Sequence, residues 1–219
     1  MYISNLSVRN FRTFKNVSLN FNKGVNTIIG ENGAGKTNLF HALRLLIDET
    51  MPRGSKFFEN DFNRSLINWR GHWIIIQIVF GELDSNEEAQ AIAMHKVGNV
   101  DEFDTSTGSY SLYFRPREPQ RRQLFEYSLE DDKTVEGLAD ILKTFTLNDY
   151  EVVYKGKGNV NFSDNEIYKK YAGDFEAIEF PDPDDEQADV YGIKLHGLAI
   201  PNEVSCTFAK ALRDVEADL

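Results

Sequence analysis

The run Gly30-Glu31-Asn32-Gly33-Ala34-Gly35-Lys36-Thr37 is the stretch of this sequence best suited to chemistry. It matches the spacing G-x-x-x-x-G-K-[ST], in which each residue type has a physical task. Glycines let the backbone turn tightly around an anion, so that successive N–H groups point inward at a phosphate. A helix starting directly after the loop adds the positive end of its dipole. Lys36 is then expected to bridge the β- and γ-phosphates and the Thr37 hydroxyl to ligate Mg²⁺, with Gly30, Asn32, Gly33, Ala34, Gly35 and Asn38 completing the phosphate-binding set. The chemistry implied is binding of a nucleoside triphosphate with magnesium.

Such a loop works only between a strand and a helix, and the flanking residues read that way. Ile3, Leu6 and Val8 among polar residues suggest one strand, the alternation Val17-Ser-Leu19-Asn-Phe21 a second, and Val25 to Ile29 a third that enters the loop. A helix from about Lys36 to Asp48 would bury Leu39, Leu43, Leu46 and Ile47 on one face.

Beyond it, Glu49 to Gly71 reads as a long, partly packed connection, with Pro52, Gly54 and scattered phenylalanines. Trp73 to Phe80 is apolar enough for a buried strand, and Ser85 with Glu88 suggests a capping box for a helix carrying Ala89, Ile92 and Ala93. A hairpin is expected from Tyr110–Phe114 and Gln123–Leu129, joined by a Pro- and Arg-rich loop. A helix over about Val135–Phe145 and a strand over Tyr150–Tyr154 follow. A last apolar segment, Val204 to Phe208, leads into a helical pattern from Ala211 to Leu219.

Composition narrows the function classes. The 219 residues carry 24 Lys+Arg against 35 Asp+Glu, a formal net charge of −11. That balance argues against a nucleic-acid binder driven by charge over its whole surface, though it allows a local basic patch. The runs Arg115-Pro-Arg117-Glu-Pro-Gln-Arg121-Arg122 and Pro181-Asp182-Pro183-Asp184-Asp185-Glu186 read as solvated loops, the first also a candidate DNA contact. With 41% hydrophobic and 12% aromatic residues there is material for a sizeable core, and no apolar run approaches the roughly 20 residues of a membrane helix. A single cysteine, Cys206, and an N-terminus without a signal pattern point to a reducing cytoplasm; four histidines without metal-ligand spacing argue against a zinc site.

The segment Leu6-Ser-Val-Arg9-Asn10-Phe11-Arg12-Thr-Phe14, the Phe-x-x-Gly-Val-Asn-Thr-Ile-Ile turn, and Gly30 to Asn38 together resemble the N-terminal lobe of RecF-like and SMC-like ABC ATPases. Within that group, Ala211-Leu-Arg213-Asp214-Val-Glu is similar to a segment of the OLD (overcoming lysogenization defect) ATP-dependent nucleases, whose relatives include the Gabija defence nucleases. The resemblance implies an α/β P-loop NTPase of the ABC ATPase type, its N-terminal lobe a mixed sheet with an inserted hairpin and helical region. Residues 1–50 would hold antiparallel strands, loop and first helix, and residues 51–219 the remainder of the lobe with insertions. It also implies ATP with Mg²⁺, a head dimer or higher homo-oligomer that sandwiches ATP, and DNA as a partner of the full protein. A further protein partner is allowed; a membrane is not expected. No apolar strand ends in an Asp-Glu pair suited to Walker B, no signature loop is visible, and no Toprim carboxylates can be assigned, so the catalytic residue is unidentified and a fragment or ordered part of a longer protein is expected.

The same resemblance suggests further site residues. A magnesium-ligating Gln is matched by Gln77, which reads better as a buried strand residue between Ile76 and Ile78, and Asp61 is the alternative. Arg12, and less directly Arg9, could reach the nucleotide, with solvated strand-edge arginine as the plain reading; His41 reads as packing or surface. Three functions follow: an OLD-like head gating a nuclease, a RecF- or SMC-type maintenance ATPase without nuclease, or a non-hydrolysing nucleotide sensor.

Overall fold

The structure, a computed structural model, describes residues 1–51, 56–83, 108–156, 158, 160–195 and 207–208. Six strands form one sheet: β1 (Tyr2–Phe11), β2 (Phe14–Asn20), β3 (Ile74–Gly81), β4 (Gly108–Pro116), β5 (Tyr150–Gly156) and β6 (Ile193–Leu195). Their spatial order is β2-β1-β3-β4-β5-β6 and every neighbouring pair is antiparallel. The helices are α1 (Lys36–Ile47), α2 (Glu118–Ser128), α3 (Val135–Lys143), α4 (Asn165–Ala172) and the single turn α5 (Ala188–Tyr191).

Strand β3 is the spine of this arrangement. Ile74, Ile76 and Ile78 are fully buried, each worth about 1.5–3 kcal/mol of transfer free energy. Because strand side chains alternate, these residues and Phe80 face one side of the sheet, where Leu39, Ala42 and Leu46 of α1 meet Leu6, Val8 and Leu112. Ile75 turns the other way, joining Trp73, Tyr113, Phe162, Tyr168 and Tyr191 in a second cluster beneath α4. A third cluster, with Leu124, Leu138, Leu142 and Phe145, packs α2 against α3. The result is three layers: α1, the sheet, and the later helices.

The expected β1, β2, α1, β3, β4, α3 and β5 segments are all present, with shifted ends. Three expectations are corrected. Val25–Ile29 is no strand: Val25 and Ile29 are 96% and 89% exposed, and of this run Ile28 packs against the core. An extended segment becomes a strand only where neighbours take its backbone N–H and C=O groups, and β1 already has β2 on one edge and β3 on the other. The sheet is therefore antiparallel throughout rather than mixed. Gln123–Leu129, expected as a hairpin strand, lies in and just after α2: Pro119 in the first turn pre-sets the backbone, and Leu124 and Ser128, four apart, are its buried residues. The expected helix after Ser85 and the segments Val204–Cys206 and Ala211–Leu219 lie outside the described residues.

The two charge runs are not solvated loops; they pair with each other. Arg115, on β4 and 4% exposed, donates Nε to Glu151 at 3.1 Å and its two Nη groups to Glu186 at 3.0 and 3.1 Å, with its guanidinium 5.0 Å above the Trp73 ring. Lys155 also bonds Glu186, and Arg121 lies 3.6 Å from it. Arg122 bonds Glu118 and Asp184 at 2.7 and 2.6 Å. Glu186 thus locks the 183–191 segment onto β4, β5 and α2. Burial pushes its carboxyl up, but Arg115 and Lys155 outweigh that and hold it at about 2.

A carboxylate whose pKa is depressed on folding stabilises fully above its ordinary pKa near 4.5 and loses that contribution as pH falls toward 2. Glu186→Gln should therefore be less stable than the parent at pH 7, by up to an order of 3 kcal/mol. The gap should close between about pH 5 and pH 2, read by urea unfolding at each pH.

Candidate nucleotide-binding site

The loop before α1 is built on two left-handed glycines, Gly33 (φ 86°) and Gly35 (φ 96°), a conformation that L side chains rarely adopt. A Cβ on Gly35 would lie 2.5 Å from Thr13 Oγ1 and 3.1 Å from the Phe14 ring, so the β1–β2 turn presses directly on the loop. The Ala34 N–H donates to the Glu31 carbonyl at 3.2 Å, and the Leu39 N–H to the Gly35 carbonyl at 3.0 Å, closing the first turn of α1. That helix has no side-chain cap and no acidic residue in its first turn. Its N–H groups and positive dipole end therefore stay available to an anion. Lys36 Nζ donates to the Gly30 and Glu31 carbonyls at 2.5 and 2.8 Å, which holds the ammonium across the loop, and Thr37 is exposed beside it. These residues fit a magnesium-bound triphosphate: an uncapped helix start, one cation and one exposed hydroxyl stand together on one loop.

Arg12 reaches the same helix. Its Nε donates to Asp61 at 2.8 Å, Nη1 lies 3.3 Å from Asn38 Oδ1 and Nη2 3.4 Å from His41 Nε2. Asn38 in turn donates to Thr13 Oγ1 at 3.2 Å. A guanidinium can only donate, so His41 Nε2 accepts and its proton sits on Nδ1. Burial, then the charge of Arg12, lowers the His41 pKa and keeps the ring neutral, stacked 6.0 Å from Phe11.

Asp61 is fully engaged in setting this up. Besides Arg12, its carboxylate accepts the Phe58 N–H at 2.9 Å, and its backbone carbonyl accepts the Arg12 N–H at 2.7 Å. Asn63, which the sequence reading missed, accepts nothing from Arg12 but donates Nδ2 to the Arg12 carbonyl at 2.6 Å and its N–H to the Asn10 carbonyl at 3.0 Å. The signal for Asn63 was its Asx turn, with the Ser65 N–H on its Oδ1 at 3.0 Å.

The other two candidates lie across the sheet. Gln77 is paired between Ser7 and Ser111 and points to the Ile75 face, opposite α1, because alternation along β3 leaves it no other side. Arg9 is likewise turned away. Its Nη groups bond the Phe162 carbonyl and Asn165 at 2.9 and 2.8 Å, with its guanidinium 4.1 Å from the Tyr168 ring centre. Arg117, the last of the candidate DNA-contact arginines, donates to the Asn148 carbonyl at 3.2 Å.

The family comparison decides the broader identity, since the model of the AAA ATPase domain family matches residues 1–192. The chain belongs to the AAA ATPase domain family. Among curated relatives of this AAA ATPase domain, endonuclease GajA of Bacillus cereus is 28% identical over 168 residues, covering 75% of the chain and 25% of that protein. The DNA double-strand break repair Rad50 ATPase of Methanococcus maripaludis is 44% identical over 57 residues, 26% of the chain and 6% of the relative. The DNA replication and repair protein RecF of Geobacillus kaustophilus is 38% identical over 77 residues, 35% and 19% respectively. The chain thus spans a quarter or less of the length of each of these relatives. Among the described residues, no helix is long and apolar enough to cross a membrane.

Removing the Asp61 carboxylate strips an acceptor from both Arg12 Nε and the Phe58 N–H. Asp61→Ala should lower the unfolding free energy by about 1–3 kcal/mol in buffer free of nucleotide and magnesium. Asp184→Ala, at an exposed pair with Arg122, should cost under about 0.5 kcal/mol in the same urea titration.

Proposed function

We propose that this AAA ATPase domain is the nucleotide-binding part of an ABC-type ATPase head of the OLD-like, GajA-related kind. In the full protein, ATP-driven pairing of two heads would gate DNA cleavage by a C-terminal domain that these 219 residues do not include, in a role such as anti-phage defence. The observation that carries the nucleotide reading is the loop itself: left-handed Gly33 and Gly35 deliver Lys36 and Thr37 to an uncapped helix start. The OLD-like reading is supported by the match to GajA, which runs along 75% of the chain.

The roles follow from the groups present. Backbone N–H groups of Gly30–Gly35 and the start of α1 would hold the β-phosphate, and Lys36 would neutralise the β- and γ-phosphates. Thr37 would ligate Mg²⁺, which supplies charge neutralisation between the phosphates. Arg12, already aimed along α1 by Asp61, is the cation placed to meet the nucleotide beside Asn38. Asp61, with its carboxylate given to Arg12 and Phe58, serves better as the residue that positions Arg12 than as a metal ligand.

A RecF- or Rad50-type ATPase without nuclease is the second reading, favoured by the higher identity of those shorter matches, 38% and 44%. The full-length protein separates the two: a Toprim-like acidic motif in it would support the first and long heptads the second. The nucleotide reading has its own test. Lys36→Ala should abolish MgATP binding in calorimetry while the far-UV circular dichroism stays that of the parent; unchanged affinity would overturn the reading.

A further inference from the structure

Beside the end of β1, on the side that Arg9 and Tyr168 face, a recess of about 730 Å³ opens between α3, α4 and the 65–72 connection. That is the size of a small-molecule site, roughly 300–1,000 Å³. Part of its wall is apolar: Leu138, Ala139 and Leu142 of α3, with Leu66, Ile67 and Phe175. Ile67 is fully exposed, so apolar surface is left uncovered there. The polar lining is rich in donors. Arg9 is buried, yet no carboxylate pairs with it among the described residues: its Nη groups go to the Phe162 carbonyl and Asn165, and its Nε is buried without an acceptor. Arg115 and Lys155, buried cations elsewhere in the fold, share Glu186 instead. Lys15, also on the recess, is exposed and has no partner among the described residues.

His72 adds a neutral donor. The Tyr168 hydroxyl accepts the Trp73 N–H at 3.0 Å and Asn10 Nδ2 at 3.1 Å, so its own proton is left for His72 Nδ1 at 3.3 Å. The ring proton then sits on Nε2, which has no partner among the described residues. Burial, then the charge of Arg9, holds the His72 pKa at about 4, so the ring is uncharged at neutral pH. The acids on the recess are Glu166, Asp174 and Glu176, and the last two hold Lys169 at 3.2 and 3.6 Å. Those three acids balance Arg9, Lys15 and Lys169, which disfavours a nucleic-acid backbone or a phosphate monoester of nearly two charges. A single negative charge suits the one cation that burial leaves uncompensated. We infer that this recess binds a small organic carboxylate, its apolar body seated on α3 and Ile67 and its carboxylate within reach of Arg9, Lys15 and His72. The site stands apart from the phosphate loop, because Arg9 is turned away from α1.

Ligand-observed NMR titrations of the whole chain should use octanoate as the probe, with neutral octanamide and inorganic phosphate beside it. Octanoate should bind about tenfold tighter than octanamide, and inorganic phosphate, which has no apolar body, should not saturate the site. Arg9→Gln should weaken octanoate about tenfold and leave octanamide as it is, which also reports that the recess is still folded. Ile67→Asp, a change at an exposed position, should weaken both, and Lys36→Ala should change neither. If octanoate and octanamide bind alike, or Arg9→Gln keeps the parent's affinity, Arg9 only packs against Tyr168 and the carboxylate site is overturned. Loss of octanoate in Lys36→Ala would place the anion at the phosphate loop and overturn it too. So would a concentration-dependent dimer in sedimentation that Ile67→Asp dissolves and octanoate leaves intact, since the recess would then be a contact between copies of this chain.

Discussion

The end of β1 is the constraint on which the rest depends. Asn10 (φ 55°) and Arg12 (φ 49°) are both left-handed without being glycine, a conformation that costs on the order of 1 kcal/mol or more at each. The surroundings hold them there. Asn63 takes the Asn10 and Arg12 carbonyls, Asp61 takes the Arg12 N–H, and Asn10 Nδ2 donates to the Trp73 carbonyl at 2.9 Å. The two reversals break the alternation of the strand, so that four neighbouring residues serve both faces. Arg9 and Asn10 bind the Tyr168 side, Phe11 enters the α1 core, and Arg12 runs out along α1. Thr13 and Phe14, next in line, are then pressed against Gly35. The glycine-rich loop before α1 takes its shape from a turn that is itself fixed by the connection after α1.

Much of this was legible in the sequence where the determining forces are local. Alternation in β1 and β2, the apolar run of β3 and the helical spacing of Leu39, Leu46 and Ile47 each report which side of an element meets a core, although Leu43, expected with them, is only partly buried. The loop motif was legible for the same reason, since glycine, lysine and threonine at that spacing describe a backbone shape without reference to the rest of the chain. What escaped is non-local. Residues 25–29 carry strand-forming side chains, but a strand also needs a neighbour's backbone, and the edges of β1 are already filled. Gln123–Leu129 shows the converse: an apolar and aromatic run read as period 2, whereas Pro119 and the burial of Leu124 with Ser128 belong to period 3.6. Side-chain types alone could not place Gln77 on the face away from α1.

Charge was the least legible property. The basic and acidic runs are about sixty residues apart in the chain, so each looks like an isolated solvated loop. In the fold Arg115, Arg121 and Lys155 surround Glu186, and Arg122 meets Asp184. Removing one member of the buried group around Glu186 leaves its partners uncompensated, which makes that group a strong constraint on geometry whatever its net contribution to stability, whereas the Arg122–Asp184 pair is exposed. It also changes what the arginines can do. Cations engaged by carboxylates on the protein have little charge left for phosphates on a partner, so the stretch that looked most like a nucleic-acid contact is used to close the fold.

Arg12 and Asp61 show the same logic at the site. From the sequence, one was a possible phosphate ligand and the other a possible metal ligand, two independent functions. The distances instead make them one device, in which Asp61 gives its carboxylate to Arg12 and to the backbone of Phe58. A guanidinium held on Nε keeps both Nη groups directed at Asn38 and His41, beside the loop. Those two contacts are long, 3.3 and 3.4 Å, and weak by the usual geometry of hydrogen bonds. An anion reaching the first turn of α1 could therefore take over the Nη groups while Asp61 keeps hold of Nε. The cost of ordering the arginine is met in folding, and binding has only to exchange two weak partners for a charged one.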